Sequence, residues 1–303
     1  VCAAGARTAE PGEFTKRAFI NGKLDLVQVE AVASLINSKS IENTRHQQKI
    51  LRGTLSLSIN NIRTKIVSLL GRLEHQMDID EEEWPTAPPS WLVDGVDAVY
   101  LKVRHFKKTS KFGRLLNRGA TVVIAGPPNV GKSSLLNALS ESSRSIVSSS
   151  PGTTRDTIEV ELLMRGVPVL FIDTAGLRQP KDEIEKEGVR RTKSFLKRAD
   201  LVLSLTDGPK SKKPLNAGAP TLSVLNKSDL QSNKTKNPSV IHISAKTGAG
   251  LPLLKRKISQ QLGINKISTD SPSLSTSRQH VAMVACSDAI QRSRSLIKKQ
   301  HLD

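Results

Sequence analysis

Apolar side chains in the first quarter of the chain recur at helical spacing. Leu26, Val29, Val32, Ala33 and Ile36 make one set, and Leu55, Ile59, Ile62, Ile66, Leu69 and Leu73 make a second that steps by four and three alternately. The second seam predicts a long structural helix packed in a bundle. The stretch DIDEEEWPTAPPSW ends it, because Pro85, Pro88 and Pro89 cannot continue a helix. A further helical stretch rich in basic residues runs from about Trp91 to Asn117. From Thr121 the period changes to short buried-strand runs, TVVIAG, VPVLFIDTAG, ADLVLSLTDG, PTLSVLNKSDL and VIHISAKTG, separated by helical or polar stretches. Such alternation predicts a mostly parallel sheet with covering helices. Between Gly208 and Pro220 only PKSKKPLNAGA intervenes. That barely reaches the ~10–12 residues a parallel crossover requires, so one covering helix is expected to be reduced or missing. A Ser/Thr-rich linker, GINKISTDSPSLSTS, precedes a last helix from Arg278 to Leu302 with Val281, Ala285, Ala289 and Leu296 on one face.

A terminal helix too short to fold alone most simply returns to the first helical block. The expected architecture is therefore an α/β block, residues 118–265, inserted into an all-α helical domain made of 24–117 and 266–303, with 1–23 leading in. The chain has 303 residues, enough for two cores. Lys and Arg number 46 against 28 Asp and Glu, and the net charge of +18 favours an anionic partner such as RNA, DNA, nucleotide or acidic lipid, although matrix proteins of mitochondria are often basic too. Cys2 and Cys286 are too few for a disulfide framework and lack metal-ligand spacing, so a reducing compartment is expected and zinc is not implied. No apolar run approaches the ~20 residues needed to span a bilayer, so no membrane association is expected. The sequence begins at Val1, and VCAAGARTAEPGEF has no long apolar core, so it reads as a fragment without a visible targeting segment.

GPPNVGKS, Gly126 to Ser133, follows an apolar strand and opens the helix SLLNALS, the context a phosphate-binding P-loop demands. Glycines let backbone N–H groups curl around phosphate, and the helix N-terminus adds partial positive charge. Asn129, Val130, Gly131, Lys132, Ser133 and Ser134 are the candidate contacts. Lys132 is expected to bridge the β- and γ-phosphates and Ser133 to hold Mg²⁺. FIDTAG supplies Asp173, which holds Mg²⁺ through water, then Thr174, Ala175 and Gly176, whose N–H turns toward the γ-phosphate. In NKSD, Asn226 to Asp229, the Asp229 carboxylate can accept two hydrogens from the N1 and N2 edge of guanine, which adenine does not present; Lys227 lies within the motif. Asp229 makes the nucleotide GTP rather than ATP. Ser244, Ala245 and Lys246 add a backbone contact to the base oxygen. In DTAGLRQPKDEIEKEG, Leu177 stands where the small GTPases carry the glutamine that positions water, so another group must do that job or none does.

With these elements the chain resembles the translation-factor-like GTPases, and PGTTRD at 151–156 narrows the match, with Thr154 as the Mg²⁺-binding switch threonine. AEPGEFTKRAFINGKLDLVQVEAVASLI, the split helical region, and DTAGLR followed by DEIEKEGVRR are together similar to the MnmE/TrmE family of tRNA-modification GTPases, whose mitochondrial members are closely alike. The resemblance implies that Glu185, acting through a bridging water, replaces the missing glutamine. It implies a K⁺ ion beside the α- and γ-phosphates in place of an arginine finger, held by Asn129, Ser148, Ser150 and Thr153; Ser148 and Thr153 also border the nucleotide. Lys132, Gly176 and Glu185 are then the catalytic set. The resemblance further implies a homodimer, an MnmG/GidA-like FAD-dependent partner, and tRNA modified at carbon 5 of the wobble uridine, with a carboxymethylaminomethyl or taurinomethyl group. A folate would be the one-carbon donor, touched by Lys23, with residues 1–23 a remnant of the folate-binding domain. The expected compartment is the mitochondrial matrix, with a bacterial cytoplasm as the alternative. Two other readings stay open: a ribosome-assembly GTPase similar to Era or Der, and a truncated GTP-binding module without modification activity. No GxxG loop of an RNA-binding KH-like domain is found in residues 251–303.

Overall fold

The structure is a computed structural model and describes residues 2–79, 87–141, 159–173, 194–208, 218–230, 239–265 and 272–299. The chain divides into two compact units, Val1–Asn117 with Ser268–Asp303, and Arg118–Ile267. The α/β unit is thus an insertion in the sequence of the helical one.

The helical unit contains α1 (Glu13–Ile20), α2 (Leu26–Ile36), α3 (Ile41–Leu51), α4 (Thr54–Ile79) and α5 (Ser90–Arg118). Its last helix follows the α/β block and is numbered below. Asp25 and Gln28 form a capping box that starts α2, each side chain taking a backbone N–H of the other, and Ser40 caps α3 by accepting from Asn43 N at 3.1 Å. The long seam lies where the four-three spacing places it, with Leu55 and Ile62 buried and Ile59, Ile66 and Leu69 packed on the same core. α5 supplies Val99, Val103 and Phe106 to that core.

Two expected faces differ. α2 turns Val27 and Ala31 to the core, whereas Leu26, Ala33 and Ile36 are exposed, Ile36 to 79%. α2 is apolar on nearly every side, so spacing alone does not select its buried stripe. The final helix buries Met283 and packs Cys286 and Ile290 beside it, leaving Val281, Ala285, Ala289 and Leu296 outward. Two apolar stripes share that helix, and the one with the longer side chains fills the core. Burial raises the Cys286 thiol above its ordinary pKa.

α3 was not resolved by hydrophobic spacing because its inner face is polar. Asn43, His46 and Gln47 are buried and meet the returning segment: His46 Nε2 lies 3.2 Å from Ser273 O, and Gln47 Nε2 donates to Ser275 Oγ at 3.3 Å. Burial keeps His46 below its ordinary pKa. Gly113 of α5 makes the approach of that segment possible, since a Cβ would stand 2.3 Å from Leu274 O.

The α/β unit is built on β1 (Ala120–Ala125), β2 (Glu159–Met164), β3 (Val167–Asp173), β4 (Leu201–Thr206), β5 (Thr221–Leu225) and β6 (Val240–His242), with α6 (Lys132–Glu141) and α7 (Leu251–Leu262). The last helix of the helical unit is α8 (Ser277–Lys299). The sheet order is β2-β3-β1-β4-β5-β6. All neighbours are parallel except β2 with β3. β2 is additional to the expected strands. It joins β3 through a tight Arg165-Gly166 turn with both residues at positive φ, 51° and 80°. The crossover at 209–217 lies outside the described residues. Residues 194–198 are helical, and Leu196 packs on Val123, Ala125 and Val202. Register aligns the strand ends, with Ile124 opposite Asp173, Ala125 opposite Ser204, Thr206 opposite Leu225 and Leu225 opposite His242. Every loop that leaves a parallel strand therefore opens on the same edge. The chain reverses direction across the sheet at β1, a crevice where ligands of open parallel sheets bind.

Candidate functional site

The loop from Gly126 to Gly131 joins β1 to α6. At Gly126 a Cβ would lie 2.3 Å from Leu205 O, so only glycine lets the chain leave β1 beside β4. Asn129 and Gly131 take left-handed conformations, φ 59° and 92°, which curl the loop. α6 then begins at Lys132, and its first N–H groups lack intrahelical partners, leaving them for an anion. Lys132 is buried and donates from Nζ to Gly126 O at 3.0 Å and Pro127 O at 2.7 Å, folding back across the loop. Ser133 Oγ donates to Asp173 Oδ2 at 2.9 Å, and Asp173 is fully buried at the end of β3. Val130 is buried, while Ser134 on the next helical position is exposed.

The second half of the site lies beyond β5 and β6. Asn226 is buried and ties three segments together: Nδ2 donates to Val130 O at 2.9 Å, and Oδ1 accepts from Ala245 N at 3.0 Å. Lys227, at φ 59°, donates from Nζ to Asn129 O at 2.9 Å and to Asp207 Oδ2 at 2.9 Å. Asp229 is exposed, and a hydrogen bond from the Ser244 hydroxyl holds its carboxyl below the ordinary pKa, helped by its own backbone N–H and the charge of Lys246. Ser244 is itself buried, and its Oγ accepts from Thr247 N at 3.2 Å. An ionised acceptor thus stands beside the 244–246 turn. The loop, Asp173, the Asn226–Asp229 segment and the turn form one contiguous edge.

Ser148, Ser150, Thr153, Thr154, Thr174, Ala175, Gly176 and Glu185 lie outside the described residues. Lys23 belongs to the helical unit, where it is exposed between α1 and α2 with its N–H on Ala18 O at 2.8 Å. Asp207 is a site residue that sequence reading did not single out. Its only sequence signal is its place after a strand, in TDG. Among the described residues no three His, Cys, Asp or Glu side chains gather to hold a metal. No helix among the described residues is long and apolar enough to cross a membrane.

Comparison with known proteins adds to this geometry. The family model for the MnmE helical domain matches residues 26–303. The chain is 42% identical to the tRNA modification GTPase MnmE of Aquifex aeolicus (strain VF5), over 86% of this chain and 61% of that protein. It is 39% identical to the tRNA modification GTPase MnmE of Coxiella burnetii (strain RSA 493 / Nine Mile phase I), over 98% of this chain and 68% of that protein. Among solved structures, Aquifex aeolicus Era aligns with 50% of this chain and 60% of its own at 30% identity, with a TM-score of 0.38. The chain spans 61% of the length of the Aquifex relative, so it represents part of what that protein contains. Matched to the family model from residue 26 to residue 303, the chain belongs to the MnmE family.

Proposed function

We propose that this chain binds and hydrolyses GTP, and that it acts with an MnmG/GidA-like FAD-dependent protein in modifying carbon 5 of the wobble uridine of tRNA. The observation that carries the GTP reading is the pairing, on one sheet edge, of a phosphate cradle with a guanine-reading carboxylate, tied together by Asn226. The family membership carries the tRNA reading.

On nucleotide binding, Lys132 exchanges the Gly126 and Pro127 carbonyls for β- and γ-phosphate oxygens. The N–H groups of residues 130–134 take the remaining phosphate charge. Asp229 accepts from guanine N1 and N2, and the Ala245 and Lys246 backbone faces the base oxygen. A buried carboxylate with a hydroxyl 2.9 Å away is the hard-oxygen pair that Mg²⁺ takes alongside water, so Ser133 and Asp173 fit that ion. When bound it would neutralise charge between the β- and γ-phosphates. Thr154 would complete its protein ligands, Gly176 would turn its N–H toward the γ-phosphate, and Thr174 and Ala175 would line the same phosphate. Glu185 would hold the attacking water through a second water.

Asn129, left-handed at φ 59° and with its carbonyl accepting from Lys227 Nζ, is the residue among the described ones that suits a K⁺ ligand. Ser148, Ser150 and Thr153 would supply the other oxygens of an uncharged cage. Residues 118–265 are assigned as the GTPase domain, 24–117 with 266–303 as the helical domain, and 1–23 as the remnant of a folate-binding domain with Lys23 as its folate contact. Homodimerisation would bring two GTPase domains face to face during hydrolysis. The +18 charge supports a mitochondrial matrix location.

GTP turnover in KCl against NaCl at matched ionic strength tests this reading, with ATP as base control and Glu185→Ala beside the wild type. The expected result is turnover of GTP alone, raised by K⁺ and lost in Glu185→Ala while GTP still binds. Equal rates in the two salts, or an unimpaired Glu185→Ala, would overturn the potassium-and-glutamate mechanism.

A further inference from the structure

Helix α5 carries a one-signed charge pattern on an exposed face, apart from the nucleotide site. Between Tyr100 and Arg118 every charged residue is Lys or Arg. The inner side of this stretch is fixed by buried Val103, Phe106, Ser110 and Gly113, and the exposed face ends at buried Leu115. Arg104, Lys107, Lys108 and Lys111 are all exposed and stand at i, i+3, i+4 and i+7, which places them on one face. At ~1.5 Å rise per residue they form a ridge of roughly 10 Å.

A solvated helical face usually mixes both signs; from Arg104 to Lys111 this one carries only positive charge, and Asp97, seven residues earlier on the same stripe, is paired with Arg294. One ridge residue has an acidic partner across the unit, Lys107 with Asp288 of α8 at 3.4 Å, an exposed pair of little strength. Positive charge from Lys107 and Arg114 also reaches His280 on α8 and, after burial, holds its pKa low. Beside the ridge runs an open groove lined by Ser58, Asn61, Leu101, Lys102, His105 and Pro272 over buried Ile62 and Phe106. Its rim mixes hydrogen-bond donors and a cation with apolar Leu101 and Pro272, and its floor is apolar.

We infer that the α5 ridge of Arg104, Lys107, Lys108 and Lys111 is a docking surface for the phosphate backbone of RNA. Four helical cations with no interleaved acid match a regularly charged polyanion, and the mixed polar and apolar groove beside them suits ribose or an unstacked base. This rests on the tRNA reading above and adds where the RNA is held. Phosphate contacts of this kind position the nucleic acid without reading its sequence.

The test is binding of fluorescein-labelled tRNA transcript by the whole chain, followed by anisotropy from 50 to 300 mM KCl. Arg104→Gln, Lys107→Gln, Lys108→Gln and Lys111→Gln are combined in one variant. A second variant, Arg165→Asn, Lys197→Gln, Arg198→Gln and Arg256→Gln, removes the same charge from the α/β unit. Each lost phosphate contact lowers the slope of log affinity on log salt by roughly 0.7–0.9, so the ridge variant is expected to lose about 3 from that slope, with tenfold or greater weakening at low salt. The charge-matched variant should keep the wild-type slope. Equal losses in both variants, no loss in the ridge variant, or binding to anionic phosphatidylserine vesicles without binding to tRNA would each overturn the inference. GTP turnover is measured on the same samples. Turnover that persists when tRNA binding fails refutes the ridge alone, whereas loss of turnover in the wild type refutes the GTPase reading instead.

Discussion

Gly131 shows how much a single missing Cβ decides. Its φ of 92° lies where side chains are strained, and a Cβ would come 2.4 Å from Asn226 Nδ2. Asn226 cannot retreat without releasing Val130 O and Ala245 N, the two bonds that hold the loop against the 244–246 turn. Gly131→Ala should therefore cost about 1–3 kcal/mol of stability and pull the halves of the site apart. A lower midpoint in thermal unfolding together with at least tenfold weaker binding of a fluorescent GTP analogue is the expected pair of results; unchanged nucleotide binding would contradict the tie. At this scale the sequence picked out residues that the fold then gathers on one sheet edge. Lys132 folds back on Gly126 O, and Ser133 Oγ donates to Asp173 Oδ2 at the end of β3. The sequence did not reveal that Asn226 joins three segments, because that role depends on atoms far apart in the chain.

The elements divide along similar lines. A long amphipathic helix with a distinct apolar seam, such as α4, was legible because one face alone could be buried. α2 and α8 each offer two apolar stripes, and the stripe that faces the core is set by neighbours. The consequence is measurable on α8. Met283→Ala, at a position 8% exposed, should destabilise by about 2–5 kcal/mol through lost burial and a cavity. Val281→Ala, at a position 66% exposed, should stay within about 0.5 kcal/mol. Urea denaturation of both variants checks the assignment, and comparable losses would return Val281 to the core. Strand β2 and helix α3 escaped for different reasons: β2 is a short edge strand whose alternation is brief, and α3 buries Asn43, His46 and Gln47, polar residues that hydrophobic spacing passes over.

At the scale of the whole molecule, ligand binding should report on one unit. A ligand that binds only the folded state at about 100 times its Kd adds about 2.7 kcal/mol to stability. GTP with Mg²⁺ should therefore raise the unfolding temperature of the α/β unit by several degrees. Chelation with EDTA should shrink that shift, because Ser133 and Asp173 then contribute no metal-mediated contact to phosphate. Differential scanning calorimetry with GTP, with GTP and EDTA, and with ATP checks both statements. A shift of equal size with and without chelator would remove Mg²⁺ from the site.

What the sequence determined by itself is the set of local events. The change of period from helical to strand spacing at Thr121, the glycine-rich turn before Lys132, the order of the motifs and the excess of basic residues all depend on neighbours within a few positions. Backbone preference, side-chain chemistry and periodicity are written at that range. What only the tertiary structure decided is which of two apolar faces is buried, how β2 pairs with β3, how polar α3 clasps residues 273–275, and how Asn226 ties Val130 to Ala245. Each of those is a contact between residues distant in the chain, chosen by packing and by the need to pair buried polar groups, and neither quantity is fixed until the units have closed.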